Sequence, residues 1–136
     1  MRIFRSETRA SSLANPDYFS GRVWQEPVVE AEAPARLRAL RVTFEPGART
    51  AWHTHPLGQT LHVLWGTGLV ARRGRPPEMI RAGDTVWIPP GEEHWHGAAP
   101  KTQMCHLAMQ EADGAGRVAD WMEQVSDADY RATPKD

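Results

Sequence analysis

The sequence has a single cysteine, Cys105, in 136 residues, so no intramolecular disulfide can form and a reducing compartment suits the chain. It also has no surplus of charge: sixteen basic residues stand against seventeen acidic ones, a formal net charge of −1. A nucleic-acid partner or an anionic membrane surface calls for a basic patch, and none runs along the chain. Long apolar runs are missing too, for no stretch approaches the roughly 20 residues of a membrane helix. The opening MRIFRSETRA lacks the apolar core of a secretory signal. The expectation is a cytoplasmic protein with a small-molecule substrate, no nucleic-acid partner and no membrane contact. Internal repeats, low-complexity segments and a second domain are likewise absent. A chain of this length fits one domain that buries roughly two thirds of its unfolded surface.

What is present is a series of short strands between glycine and proline turns. From Arg38 to Glu45 the alternation is strict, with Leu40, Val42 and Phe44 on one face and Arg41 and Thr43 on the other. Leu61, Val63 and Trp65 keep the parity of Gln59 and are expected inside, with His62 outside. Gly66 and Gly68 mark a turn, Leu69 to Arg72 a further strand, and Thr85 to Ile88 another. Thr102 to Gln110 alternates again, with Met104, His106, Ala108 and Gln110 sharing a face. Such spacing argues an all-β sandwich or barrel and not a βαβ sheet. Residues 1–37 are expected as an N-terminal arm with edge strands, pinned by Phe4, Tyr18 and Phe19, and residues 38–110 as the barrel core. In the tail, 117–132, Val118, Trp121, Met122 and Val125 fall at i, i+3, i+4 and i+7, the pattern of an amphipathic helix on the barrel exterior. Ser126 with Asp129 suits a cap on a short final turn, and Pro134-Lys135-Asp136 is expected to fray.

The chain is organised around residues 47–66, GARTAWHTHPLGQTLHVLWG. His53 and His55 stand two apart and leave an extended strand on the same face. Pro56 and Gly58 bend the chain so that the amide oxygen of Gln59 can return beside them. GDTVWIPPGEEH, residues 83–94, ends in His94 after a Pro-Pro-Gly turn and offers a fourth donor. Three imidazoles and one oxygen suit a divalent first-row metal, and no cysteine lies near enough to supply a thiolate.

These stretches resemble the paired motifs of the cupin family, G-x5-H-x-H-x3-E-x6-G and G-x5-P-x-G-x2-H-x3-N. Gly47, His53, His55 and Gly66 fall on the first, and Gly83, Pro89, Gly91 and His94 on the second. Gln59 stands where most cupins carry glutamate, and Ala98 where they carry asparagine. The resemblance implies a single-domain jelly-roll β-barrel with a short C-terminal helix. The runs VTFEPGARTAWHTHPLGQTLHV, PGEEHWHGAAP, HLAMQE and DWMEQV are further similar to the small bacterial manganese-dependent (R)-hydroxynitrile lyases, which share the glutamine. That likeness implies one divalent ion per chain on His53, His55, Gln59 and His94, with manganese first and iron, nickel or zinc as other occupants. It also implies a homodimer or homotetramer.

In this reading the metal acts as Lewis acid and His106, on the inward face of its strand, as general base in cyanohydrin cleavage. Gln110 and His96 join it as candidate catalytic residues, and Leu40, Val42 and Phe44 line an apolar substrate pocket. Three histidines and a glutamine also suit a dioxygenase or decarboxylase, or a cupin that binds a small molecule without turnover. Oxygen dependence and iron dependence separate these alternatives.

Overall fold

Twelve strands curl one continuous sheet into a barrel in the computed structural model, which describes residues 1–134; the fraying expected at Lys135 and Asp136 lies outside the described residues. After a 3₁₀ turn at Ser6–Thr8 come β1 (Ser12–Leu13), β2 (Phe19–Ser20), β3 (Val23–Glu30) and β4 (Leu37–Phe44). The first metal-motif stretch supplies β5 (Arg49–Thr50), β6 (His53–Thr54) and the long β7 (Gln59–Arg72). There follow β8 (Glu78–Arg81), β9 (Thr85–Ile88), β10 (His94–Ala98), β11 (Met104–Glu111) and β12 (Asp120–Trp121). One helix, α1 (Asp127–Tyr130), closes the described chain. The backbone path runs β1-β3-β4-β11-β7-β10-β5-β2, every pairing antiparallel, with β9 and β8 on β7 and β6 bridging β10 to β12. Among the described residues no helix is long and apolar enough to cross a membrane.

β7 explains how the barrel closes. Its first half pairs with β11 and β9, and its second half with β10 and β8, so one strand passes from one sheet into the other. The bend sits at Gly66, where φ is +84° and a Cβ would collide with the carbonyl oxygen of Gln103. Both facts demand glycine. The sequence reading placed a turn at Gly66 and Gly68; the pairing continues through both, because the bend is taken within a strand. A bulge opposite Cys105 and His106 precedes it, since Cys105 faces Trp65 while His106 faces Val63. Leu64 is the extra residue. From there parity is inverted, so Trp65 is 43% exposed and not inside as alternation required. His62 is half-buried and bonds Thr85 Oγ1 through Nδ1 at 2.8 Å.

Val23, Val42, Phe44, Leu61, Val63 and Met104 form the main core. A second cluster of Trp52, Leu69, Ala71, Trp95, Val125 and Tyr130 lies under the tail. The tail corrects the helix expected over 117–132. Asp120 and Trp121 pair with Thr54 and His53 as β12, and next to them Met122 N donates to Trp52 O while Trp52 N donates to Glu123 O. Backbone pairing with β6 outweighs the helical spacing, and helix is confined to four residues capped by Ser126, whose Oγ accepts from Asp129 N at 3.1 Å. Arg49 anchors that turn, donating to Val125 O at 2.9 Å and to Asp127 at 3.1 Å with its guanidinium over the Tyr130 ring. In the arm, Phe19 is buried and Tyr18 stacks on Trp121 at 4.6 Å, whereas Phe4 stays exposed beneath Arg2.

Candidate metal centre

The strand register assembles the site. His94 lies opposite His53 on β10 and β6, and Trp121 lies opposite His53 on the other side. His55 follows one residue after β6, where the Pro56–Gly58 turn folds back and both Gly58 N and Gly91 N donate to its carbonyl. Gln59 opens β7. The imidazoles of His53, His55 and His94 therefore converge, with ring centroids 5.0 Å apart for 53 and 55, 4.2 Å for 53 and 94, and 5.5 Å for 55 and 94. His96 joins from β10, 5.4 Å from His53 and 5.8 Å from His94. Measured between nitrogens, His53, His94 and His96 have ligand atoms all within 4.8 Å of one another.

Protonation is dictated by the carbonyls behind the rings. Nδ1 of His53 bonds Ala51 O at 2.9 Å, Nδ1 of His55 bonds Val118 O at 2.5 Å, and Nδ1 of His94 bonds Glu92 O at 2.8 Å. A carbonyl only accepts, so each Nδ1 carries the hydrogen and each Nε2 is left as a bare lone pair. Burial holds all these rings neutral. It drops His94 to about 4 and His53 well below the ordinary imidazole value, in His53 with help from its neighbours His94 and His55. His55 is lowered as well, by burial first.

The donor set fits a cation. Nε2 of His55 and Nε2 of His96 are buried and find no hydrogen-bond partner among the described residues. Gln59 Oε1 stands 3.1 Å from His94 Nε2, and with Nδ1 of His94 committed to Glu92 that contact joins two acceptors. Lone pairs facing each other are costly when buried, and a positive ion between them removes the cost.

Behind this group Nε2 of His106 lies 2.8 Å from Nδ1 of His96, and both rings are neutral because burial lowers them, His106 to about 4. Phe44 packs edge-on against both. A cavity of about 120 Å³ opens in front, lined by His53, His55, Gln59, His96 and Gln110 on its polar side. Leu40 and Val42 line it, whereas Phe44 and His106 do not reach its surface. Sequence reasoning missed Phe19, Thr50, Val118, Ala119 and Trp121, which line it as well. The last three escaped because the tail was read as an outer helix, and nothing local in Phe19 marks it as cavity lining.

The cupin domain model matches residues 40–109, a span that takes in both motifs and runs from within β4 to within β11. The chain is a cupin. This cupin is 53% identical over 131 residues to the (R)-mandelonitrile lyase of Granulicella tundricola, an alignment covering 96% of this chain and 99% of that one. A cupin-like protein from Thermotoga maritima superposes with a TM-score of 0.84 at 39% identity, covering 96% of each chain. A polyketide cyclase from Streptomyces resistomycificus shares the fold alone, with a TM-score of 0.76 at 15% identity over 96% of this chain and 90% of that one.

Proposed function

We propose that this cupin is a metal-dependent hydroxynitrile lyase, cleaving cyanohydrins to an aldehyde or ketone and hydrogen cyanide and catalysing the reverse addition. The observation that carries the reading is the 53% identity to an (R)-mandelonitrile lyase along nearly the whole of both chains. The four converging donors and the small, mostly apolar cavity beside them support it. His53, His55, Gln59 and His94 would hold one divalent ion, manganese first among the candidates. When bound, such an ion supplies Lewis acidity toward the substrate oxygen.

The protein's own part is positioning and proton transfer. Leu40 and Val42 pack the substrate's apolar group. Nε2 of His106 and Nδ1 of His96 share one hydrogen, and in the tautomer where His96 Nδ1–H donates, Nε2 of His96 is a bare acceptor on the cavity side. The hydroxyl proton passes to that nitrogen, and the His96 Nδ1 proton shifts to His106. As the carbon–carbon bond breaks, its electron pair leaves with cyanide and the oxygen's pair forms the carbonyl. Cyanide then takes a proton back from the pair and departs as hydrogen cyanide. The base is thus shared, with His106 acting through His96, a refinement of His106 alone that the position of His96 between it and the cavity supports.

Elemental analysis of protein purified without added metal, followed by a mandelonitrile cleavage assay, tests the reading. About one divalent first-row ion per chain and cyanide release are expected, and His53→Ala or His94→Ala should empty the site. Full occupancy in both variants would overturn the ligand assignment. Turnover that requires oxygen and iron, with no cyanide released, would favour a dioxygenase instead.

A further inference from the structure

Gln110 is buried beside the donors, and each end of its amide already has a partner. It lies directly opposite Gln59 across the β11–β7 pair and directly opposite Arg38 across the β11–β4 pair. Its Nε2 donates to the Arg38 carbonyl at 3.3 Å, and its Oε1 accepts from Gln59 Nε2 at 3.0 Å. Gln59 is thereby left with Oε1 aimed at His94. A primary amide has one accepting end and one donating end of nearly the same shape, and rotation about its last torsion exchanges them. Which end faces the imidazoles is a separate question from whether the side chain is there.

Sterics leave that choice open, because both ends fit the same space. The hydrogen-bond chain closes it. Arg38 contributes a backbone carbonyl, which cannot reverse its polarity, so Gln110 must point its nitrogen at β4 and its oxygen at β7. Gln59 must answer with its nitrogen and turn its oxygen to the ligand group. We infer that Gln110 is a positioning residue for the metal, fixing the Gln59 amide in the one orientation that presents an oxygen donor. Without Gln110 the amide reverses, its Nε2–H donates to the bare Nε2 of His94, and two donors of the site are consumed by one hydrogen bond. The inference rests on the metal-binding half of the proposed function and not on its lyase chemistry.

The test is Mn²⁺ affinity of metal-stripped protein, read by competition with a chromophoric chelator, in five variants. Gln110→Met keeps the volume and removes the polarity; Gln110→Ala repeats the test should Met disturb folding, which the melting temperature of the stripped protein reports. A reversed amide costs a hydrogen bond made in the wrong state, so Mn²⁺ binding should weaken on the order of tenfold. Gln59→Glu supplies the control, because a carboxylate accepts at both ends and has no wrong orientation. In the Gln59→Glu background, Gln110→Met should leave the affinity almost unchanged. An equal loss in both backgrounds would show that Gln110 merely supports the strand and would overturn the inference. Wild-type affinity in Gln110→Met, with weakened binding in Gln59→Ala, would overturn the inference alone. Wild-type affinity in Gln59→Ala would overturn it together with the assignment of Gln59 as a ligand.

Discussion

The imidazole of His96 has one nitrogen occupied by His106 and the other buried without a partner, and that pairing makes a sharp statement about single residues. His106→Ala removes the proton's final resting place but touches none of the four donors. It should lower kcat by roughly 10²–10⁴ and leave metal content intact, the range for losing a positioned base. Equal turnover in the variant would leave His96 alone, or a hydroxide, as the base. Gln59→Glu acts on a different quantity. The added carboxylate cancels one unit of the ion's charge, so metal should be retained while cleavage slows. An unchanged rate at equal occupancy would contradict that account. Both outcomes are read from elemental analysis and initial rates on the same preparations.

At the scale of the element, β7 holds the site and the barrel in one piece of chain, because Gln59 begins it and Gly66 bends it. Gly66→Ala places a side chain in left-handed backbone and against the Gln103 carbonyl. The two penalties together should cost about 2–5 kcal/mol in urea unfolding. A loss below 1 kcal/mol would show that the bend relaxes freely. The strands were legible wherever alternation was uninterrupted: Leu40, Val42 and Phe44 on β4 and Met104, His106, Ala108 and Gln110 on β11 carry a period of two that only a sheet uses. The pairing of His53 with His55 was legible from their two-residue spacing, and His94 joined them only through the second motif of the cupin resemblance. Trp65 was not, since a bulge is a property of two paired strands and leaves no mark on one of them. Trp121 was not either, because its spacing fits a helix and only pairing with His53 makes it a strand.

For the molecule as a whole, five neutral imidazoles packed into one barrel make stability depend on pH. Each has a folded value lowered below 6.5, chiefly by burial, so the unfolded chain binds protons first as pH falls. The stabilising difference is complete above about 6.5 and is lost downward toward about 4, where His94 and His106 titrate in the folded state. Metal-stripped protein should therefore lose stability on the order of several kcal/mol between pH 7 and pH 4. Thermal melts across that range check it, and a flat profile would refute it. The site also has a long reach along the chain. Its donors span residues 53–94, yet the carbonyl that orients His55 belongs to Val118 and the strand beside His53 belongs to Trp121. During synthesis the donors emerge from the ribosome before Val118, which sets the His55 tautomer, and before Trp121, which pairs beside His53. For the proposed metal site, loading would therefore wait for the tail to dock, and the choice of ion would fall to the finished chain and not to a nascent one.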